Sequence, residues 1–187
     1  MRSVEDNIQS PLLTFIDNHK KKWGVEYWIK PDGPPFITLD INEKLKQLEA
    51  GEIKRLMVFL PPRSSKSVIC SKLFPAWYIG RNPEHEILTV SHSDQLSSDF
   101  GRSVRDLVNT EDFGRIFGGV TLRSDVRAAG KWKTNQNGTY YAAGVRSQIA
   151  GRGAHIAILD DVMSEEDSFS EAGRRYVKEW YPSGLRT

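Results

Sequence analysis

A lysine and a serine, Lys66 and Ser67, follow two prolines in the stretch "LPPRSSKSVIC", residues 60 to 70. This order is typical of a phosphate-binding loop, in which backbone N–H groups at a helix start and the helix dipole attract an anion. The lysine of such a loop contacts the β- and γ-phosphates, and the hydroxyl after it binds Mg²⁺. The residues that would surround the phosphates are Pro62, Arg63, Ser64, Ser65, Lys66 and Ser67. Taken alone, the pair is weak evidence, because a capped turn into a helix has the same residues.

Two aspartates end a second apolar run, "HIAILDD", at residues 155 to 161. Nucleotide hydrolases present a carboxylate to the metal in this way, at the end of an apolar strand. Asp160 would hold Mg²⁺, and Asp161 or a carboxylate just beyond it, Glu165 or Glu166, would orient the attacking water. The aspartates could also simply begin a turn. The two motifs in this order favour a site for ATP and Mg²⁺.

Hydrolysis also requires positive charge at the γ-phosphate in the transition state. Arg63, inside the loop, is a candidate that would act within its own subunit. Arg146 and Arg152, in "GVRSQIAGRGAH", could act in the same subunit or reach a neighbouring one. Each of the three could equally be a surface arginine.

Three apolar runs, Leu56–Leu60, Ile87–Val90 and Ile156–Leu159, predict strands buried in a sheet. Their alternation with helical patterns predicts an α/β fold, with a mostly parallel β-sheet flanked by helices. Residues 131–144 predict a β-hairpin about Asn137-Gly138, inserted into this fold. Ligands of such sheets bind beyond the carboxyl ends of the strands. The polar segments expected there are Ser64 to Ser67, Ser91 to Asp94, and Asp160-Asp161.

The helical patterns place further elements between these strands. We expect a loop at residues 113–119 and a kink or an end at Pro75. Two overlapping capping signals, Ser164 with Asp167 and Ser168 with Glu171, precede the last helix. The expected helices are Leu12 to Lys22, Ile41 to Ala50, Val68 to Tyr78, one capped by Ser93, and one after these two signals.

Composition excludes several other classes. The chain has 187 residues, a formal charge of +2 and one cysteine, Cys70, so an internal disulfide or a cysteine-based metal site is ruled out. Its four histidines show no metal-ligand spacing, and no GxSxG nucleophile motif occurs. The N-terminus lacks the apolar stretch of a signal peptide, and no run is long enough to span a membrane. These features predict a soluble cytoplasmic protein with no membrane partner.

The motifs together resemble the large terminase subunits of tailed bacteriophages, the motors that package DNA. "GEIKRLMVFLPPRSSKS" is similar to that family's approach to its Walker A loop, and "LFPAWYIGRNPEHEILTVSHSDQLSSDFGRSVRDLV" to the stretch after it. "AAGVRSQIAGRGAHIAILDDVMSEEDS" resembles the glycine-rich approach to Walker B, and "YVKEWYPSGLRT" resembles the helix and turn after Walker B. The resemblance covers residues 36 to 187.

The resemblance implies a P-loop NTPase fold of the ASCE type. Residues 1–50 would form an N-terminal helical segment on the adenine side, with Ile37 to Leu48 helping to enclose the base. Residues 51–187 would form the ATPase core, ending before the coupling motif. The nuclease domain of the family would be absent, so no nuclease activity is expected from this chain.

The family's function would be ATP hydrolysis that drives translocation of double-stranded DNA into a procapsid. The implied partners are DNA, the portal protein, the small terminase subunit and further copies of the chain in a ring, in the cytoplasm of the infected bacterial host. By position, Lys66 and Ser67 correspond to the Walker A pair, Asp160 to the Walker B carboxylate and Arg63 to the loop arginine.

One residue departs from the family pattern: Ser65 stands where relatives usually have glycine. If this position requires a positive φ, serine costs on the order of 1 kcal/mol there. Two alternatives stay open. One is a nucleotide-binding module with little or no turnover, because of Ser65 or because the family's further strands are missing. The other is a helicase-like NTPase that acts on nucleic acid outside packaging.

Overall fold

The computed structural model describes residues 36–60, 64–149 and 151–185, with side chains described from residue 41 to residue 184. The chain divides into two compact units, Met1–Lys66 and Ser67–Thr187, and each is described by itself. The helix predicted at Leu12 to Lys22 lies outside the described residues.

The first unit contains helix α1, Phe36–Glu49, which begins five residues before the predicted start at Ile41. Ile41 and Leu45 are buried at helical spacing, which confirms the predicted apolar face. Gly51 adopts a φ of 74°, a conformation that glycine reaches without steric cost and that commonly follows a helix end.

The prediction of a buried strand at Leu56–Leu60 is wrong. These residues have no regular secondary structure and no strand partner among the described residues. Met57 is 78% exposed and Phe59 is 81% exposed. An apolar run forms a strand only when a neighbouring strand supplies partners for its backbone N–H and C=O groups. The composition of the run gave no sign that this partner is missing.

A continuous helical stretch comes after the loop, built from α2 (Lys66–Val68), a π-helical segment (Ile69–Leu73) and α3 (Phe74–Arg81). Pro75 does not end this stretch, because it falls in the first turn of α3, where its missing N–H is tolerated. The stretch therefore runs beyond the predicted end at Tyr78. A π-helical segment with a wider turn lies just before Pro75.

The second unit contains a five-stranded mixed sheet in the order β2-β3-β4-β1-β5. Strand β1 pairs in parallel with β4 and with β5, whereas β2–β3 and β3–β4 are antiparallel. The prediction of a mostly parallel sheet is therefore wrong, although the α/β class with flanking helices is confirmed. The strands are β1 (Glu86–Ser91), β2 (Leu122–Ala128), β3 (Lys131–Thr134), β4 (Thr139–Gly144) and β5 (Ile156–Leu159).

The predicted hairpin accounts for this difference. Strands β3 and β4 turn about Asn137-Gly138 as expected, and Asn137 has the positive φ, 72°, that such turns favour. Strand β4 then pairs with β1 along its whole length, so the hairpin is an integral part of the sheet rather than an insertion. Strand β5 ends the sheet on the other side. Its Leu159 is 38% exposed, so this strand is not buried on both faces as predicted.

Helix α4, Asp94–Val108, packs against β1 and β4 on one face of the sheet. The Ser93 hydroxyl accepts a hydrogen bond from the Leu96 N–H, which confirms the predicted cap. Phe100, Val104 and Leu107 are buried at the predicted spacing. On the other face, a smaller core contains Leu88, Val90, Ala143, Val145, Ile149 and Trp180.

The remaining helices differ in detail from the prediction. Helix α5, Glu111–Ile116, occupies most of the predicted loop at residues 113–119, with Thr110 as its cap. Ser164 caps helix α6, Glu165–Phe169, as expected. Helix α7, Glu171–Trp180, is capped by Ser170 rather than Ser168 and leads into a second π-helical segment, Tyr181–Leu185.

Candidate functional site

The carboxyl ends of the three parallel strands meet at one edge of the sheet. Ser91 of β1 is in register with Gly144 of β4, and Val90 of β1 is in register with Leu159 of β5. The segments that leave this edge are therefore His92–Asp94, the turn after Gly144, and Asp160-Asp161. Two of the three polar segments predicted at the strand ends lie together here. The third is Ser64 to Ser67, and no strand precedes it among the described residues.

Asp160 is the first residue after β5 and is only 4% exposed. Its backbone N–H donates to the carbonyl of Val90 at 3.0 Å, which extends the pairing of β5 with β1 by one residue. Its carboxylate Oδ2 accepts a 2.7 Å hydrogen bond from the hydroxyl of Ser71. Ser71 itself is fully buried. The acidic strand end is thus bonded to the helical stretch that begins at the Lys-Ser pair.

Asp161 has a different environment from its neighbour. Its φ is 49°, in the left-handed region that non-glycine residues rarely adopt. Its carbonyl accepts from the backbone N–H of His92 at 2.8 Å and lies 3.1 Å from the Nδ1 of the same histidine. These contacts hold the turn in place, while the Asp161 residue is exposed to solvent.

Asp94 joins the segment after β1 to the segment after β4. Its Oδ1 accepts hydrogen bonds from the Ser147 hydroxyl and the Gly144 N–H, both at 2.6 Å. These two donors, the hydroxyl first, lower the pKa of the Asp94 carboxyl below its usual value near 3.8. Gly144 leaves room for this contact, because a Cβ there would lie 2.8 Å from the Asp94 nitrogen. Asp94 therefore holds the segments after β1 and β4 together at this edge of the sheet.

The phosphate-loop residues are described from Ser64 onward, and Pro62 and Arg63 lie outside the described residues. Ser65 has a φ of 58°. This position therefore has the left-handed conformation that glycine adopts freely, as expected if serine replaces a loop glycine. Lys66 begins α2, and Ser67 is the second residue of that helix.

Arg146 lies on the same edge of the sheet as the aspartates, two residues after the end of β4. Its guanidinium forms a 2.8 Å ion pair with Asp167 and lies over the ring of Tyr176, 4.7 Å from the ring centroid. Glu165, the candidate for orienting water, is the exposed first residue of α6. In this segment Asp167, three residues after Ser164, forms the ion pair with Arg146.

Arg152 lies at the opposite end of β5, four residues before the strand begins. Its guanidinium lies over the ring of Tyr141, 4.0 Å from the centroid. The two residues line a cavity of about 320 Å³ with the starts of β1 and β4 and with Gly151 and Gly153. Within its own subunit, Arg152 is therefore not grouped with Asp160.

The sequence prediction missed Ser71. It lies four residues after Ser67, and residues four apart face the same side of a helix. This spacing could have identified Ser71 as a neighbour of whatever Ser67 approaches. The burial of the side chain and its bond to a residue far along the chain depend on the tertiary fold.

The donor types suit Mg²⁺. The ion prefers oxygen ligands and is commonly bound by one or two carboxylates together with substrate phosphates, without a dedicated protein cage. Ser67 and Asp160 supply a hydroxyl and a carboxylate of this kind. Among the described residues, no cluster of three or more His, Cys, Asp or Glu side chains could hold a metal by itself.

No helix within the described part of the chain combines the length and the apolar character needed to cross a membrane. Comparison with protein-family models, with curated proteins and with solved structures finds no significant match to this chain.

Proposed function

We propose that this chain is an ATPase domain of the large-terminase type, which binds ATP with Mg²⁺ and hydrolyses it to drive translocation of double-stranded DNA. The hydrogen bond between Ser71 and Asp160 is the observation that carries the proposal. It joins the helical stretch that begins at the Lys-Ser pair to the acidic end of β5. A phosphate-binding helix beside an acidic strand end is the arrangement that P-loop nucleotide hydrolysis requires.

Each motif residue has a role in this proposal. The backbone of Ser64 to Ser67 would bind the phosphates, and the Lys66 ammonium would contact the β- and γ-oxygens. Ser67 and Asp160 would hold Mg²⁺, which when bound neutralises phosphate charge. The exposed carboxylate of Asp161, or that of Glu165 or Glu166, would orient the attacking water.

The three candidate arginines differ in their surroundings, and their proposed roles differ accordingly. Arg63 keeps its proposed place as the loop arginine that stabilises charge at the γ-phosphate. Arg146 would have to exchange Asp167 and the Tyr176 ring for a phosphate before it could act. Arg152 lies at the other end of β5 from Asp160, so any role at the γ-phosphate would be at the site of a neighbouring subunit.

The packaging role rests on the sequence resemblance. The proposed partners are double-stranded DNA, the portal protein, the small terminase subunit and further copies of this chain in a ring on the procapsid. The proposed location is the cytoplasm of the infected bacterium. DNA would be bound through its phosphates, because a packaging motor must move along any sequence, and such binding weakens as salt rises.

A second function is a nucleotide-binding module with little turnover. The specific observation in its favour is the Leu56–Leu60 segment, which pairs with no strand among the described residues. A phosphate loop that such a segment precedes is less firmly held than one that leaves a strand of the sheet. Release of phosphate from bound ATP distinguishes this module from an ATPase.

The experiment that tests the proposal is a calorimetric titration of ATP into the chain, with Mg²⁺ and with EDTA. We expect saturable binding at one site per chain, tighter in Mg²⁺ because Ser67 and Asp160 then share the metal with the phosphates. Absence of saturable binding under both conditions would overturn the proposal. Equal affinity for ATP in Mg²⁺ and in EDTA would show that Ser67 and Asp160 do not hold a metal ion together with the phosphates.

Ser65 provides a further prediction from backbone conformation. Replacement by valine should weaken Mg²⁺-ATP binding about tenfold, because a β-branched residue at a positive φ costs roughly 1–3 kcal/mol. Replacement by glycine, which adopts this φ freely, should tighten binding by up to about fivefold. Calorimetry on the two variants measures both effects. Equal affinities of the two variants would show that binding does not use the left-handed conformation.

A further inference from the structure

Ser71 and Asp160 form a buried polar pair between segments that are distant in the chain. Their side chains are 2.7 Å apart, and the residues are 0% and 4% exposed. Neither residue can exchange this contact freely for water. Burial of a carboxylate is costly unless hydrogen-bond donors compensate it. The Ser71 hydroxyl is such a donor to the Asp160 carboxylate.

The helix is irregular where Ser71 lies. The serine occupies the centre of the π-helical segment Ile69–Leu73, whose wider turn is completed by a hydrogen bond from the Phe74 N–H to the Ile69 carbonyl. Single π turns within α-helices are often found at functional sites. Here the serine at the centre of the π segment is the residue whose hydroxyl contacts Asp160.

We infer that Ser71 is a positioning residue for the Asp160 carboxylate, which it orients for metal binding; this inference rests on the proposed function. A hydroxyl that donates to Oδ2 restricts rotation of the carboxylate about its Cβ–Cγ bond. Residues that hydrogen-bond to a metal ligand in this way orient the ligand and raise the affinity of the site. Ser71 thereby connects the helix of the phosphate loop to the residue proposed to hold Mg²⁺.

A purely structural tether would use the same hydrogen bond, but the two roles differ in what they change. A tether between helix and strand contributes to the free energy of unfolding and leaves metal affinity unchanged. A positioning residue also changes how tightly the metal is held once nucleotide is bound. Metal affinity in the nucleotide complex is therefore the decisive measurement.

The test compares Ser71→Ala with Ser97→Ala. Ser97 is an equally buried serine whose hydroxyl donates to the carbonyl of Ala143 at 2.6 Å and accepts from the Ser91 N–H at 3.0 Å, so its hydrogen bonds are to residues other than Asp160. Each variant is saturated with ATP and titrated with Mn²⁺, and the bound ion is measured by electron paramagnetic resonance. Thermal unfolding of each variant shows how much stability it has lost, and ATP affinity in EDTA shows whether the phosphate loop is intact.

We expect Ser71→Ala to bind Mn²⁺ about tenfold more weakly, the lower end of the effect of removing a residue that orients a metal ligand. Its metal-free ATP affinity should change by less than about twofold, because the proposed loop contacts remain. Ser97→Ala should lose comparable stability yet keep the Mn²⁺ affinity of the wild type.

Three results would overturn the inference. If Ser71→Ala binds Mn²⁺ like the wild type, Ser71 is only a tether. If both variants lose Mn²⁺ affinity equally, the loss reflects stability rather than orientation. If the wild type binds no ATP, the proposed function fails first and the positioning role fails with it, whereas the other two results leave the proposed function in place.

Discussion

Lys66→Ala should weaken Mg²⁺-ATP binding by about 30- to 100-fold. Charge-assisted hydrogen bonds to phosphate contribute roughly 2–3 kcal/mol, and each 1.4 kcal/mol corresponds to about a tenfold change in affinity. The substitution removes the ammonium that the loop would direct at the β- and γ-phosphates. Calorimetric titration of ATP in Mg²⁺, on the variant and on the wild type, measures the loss.

This loss should occur without unfolding. Lys66 is the first residue of the helical stretch, where the partial positive charge of the helix dipole makes a cation unfavourable by about 0.3–1 kcal/mol when no anion is bound. This dipole term opposes the contacts that Lys66 makes in the folded protein, so the variant should remain folded at the temperature of the titration. A large fall in the unfolding temperature would mean that Lys66 mainly supports the fold.

Lys72→Ala is the matched control for this prediction. It removes the same charge six residues further along the same helical stretch, where the Lys72 ammonium lies 5.9 Å from the centroid of the Phe100 ring. We expect its ATP affinity to equal that of the wild type. Equal weakening in both variants would indicate a general effect of net charge, and no weakening in either would show that the Lys-Ser pair does not bind phosphate.

The sequence predicted elements well where local pattern and tertiary environment agree. The helix after Ser93 has a cap, a regular apolar face and a sheet to pack against, and all three were confirmed. The run at Leu56–Leu60 has equally strong strand composition but no partner strand among the described residues, so it forms no strand. Strand β2 was missed because four of its seven residues are exposed and its apolar pattern is weak.

The sheet was predicted less well than its individual strands. Antiparallel hairpins are visible in the sequence as two runs and a turn, as in residues 131–144. Whether the second strand of a hairpin then pairs with a distant strand is not visible in this way. The pairing of β4 with β1, which makes the sheet mixed, depends on contacts about 50 residues apart in the chain.

In the candidate site, too, the sequence predicted some features and could not predict the long-range contacts. Strand composition indicated that β1 and β5 would each end in polar residues, and the parallel pairing of β1 with β5 brings Asp94 and Asp160 to one edge. A positive φ at Ser65 was considered only as a condition, because relatives usually have glycine there, and the observed φ is 58°. Two side-chain contacts were not predicted. Ser71 bonds to Asp160, 89 positions away, and Asp167 bonds to Arg146, 21 positions away. Local spacing could not have paired them.

Gly101→Ala should destabilise the second unit by about 2–3 kcal/mol, the range of an overpacked core. A Cβ at Gly101 would lie 2.2 Å from the carbonyl oxygen of Ala129 and 3.2 Å from the ring of Tyr140. The carbonyl of Gly101 also accepts a 3.1 Å hydrogen bond from the buried indole of Trp132, which stacks on Tyr140. Helix α4 therefore cannot move away without breaking this contact. We expect the unfolding temperature to fall by about 5–10 °C, measured by circular dichroism.

Helix propensity alone predicts the opposite sign, because alanine is about 1 kcal/mol more favourable than glycine inside a helix. Gly114→Ala in α5 measures the effect of helix propensity alone, because a Cβ there would meet only the carbonyl oxygen of Val120, at 3.8 Å. That variant should unfold at the same temperature as the wild type or slightly higher. Stabilisation by both substitutions would mean that α4 does not pack as closely on the β2–β3 turn as described. Loss in Gly101→Ala alone would show that close packing, rather than propensity, requires glycine at this position.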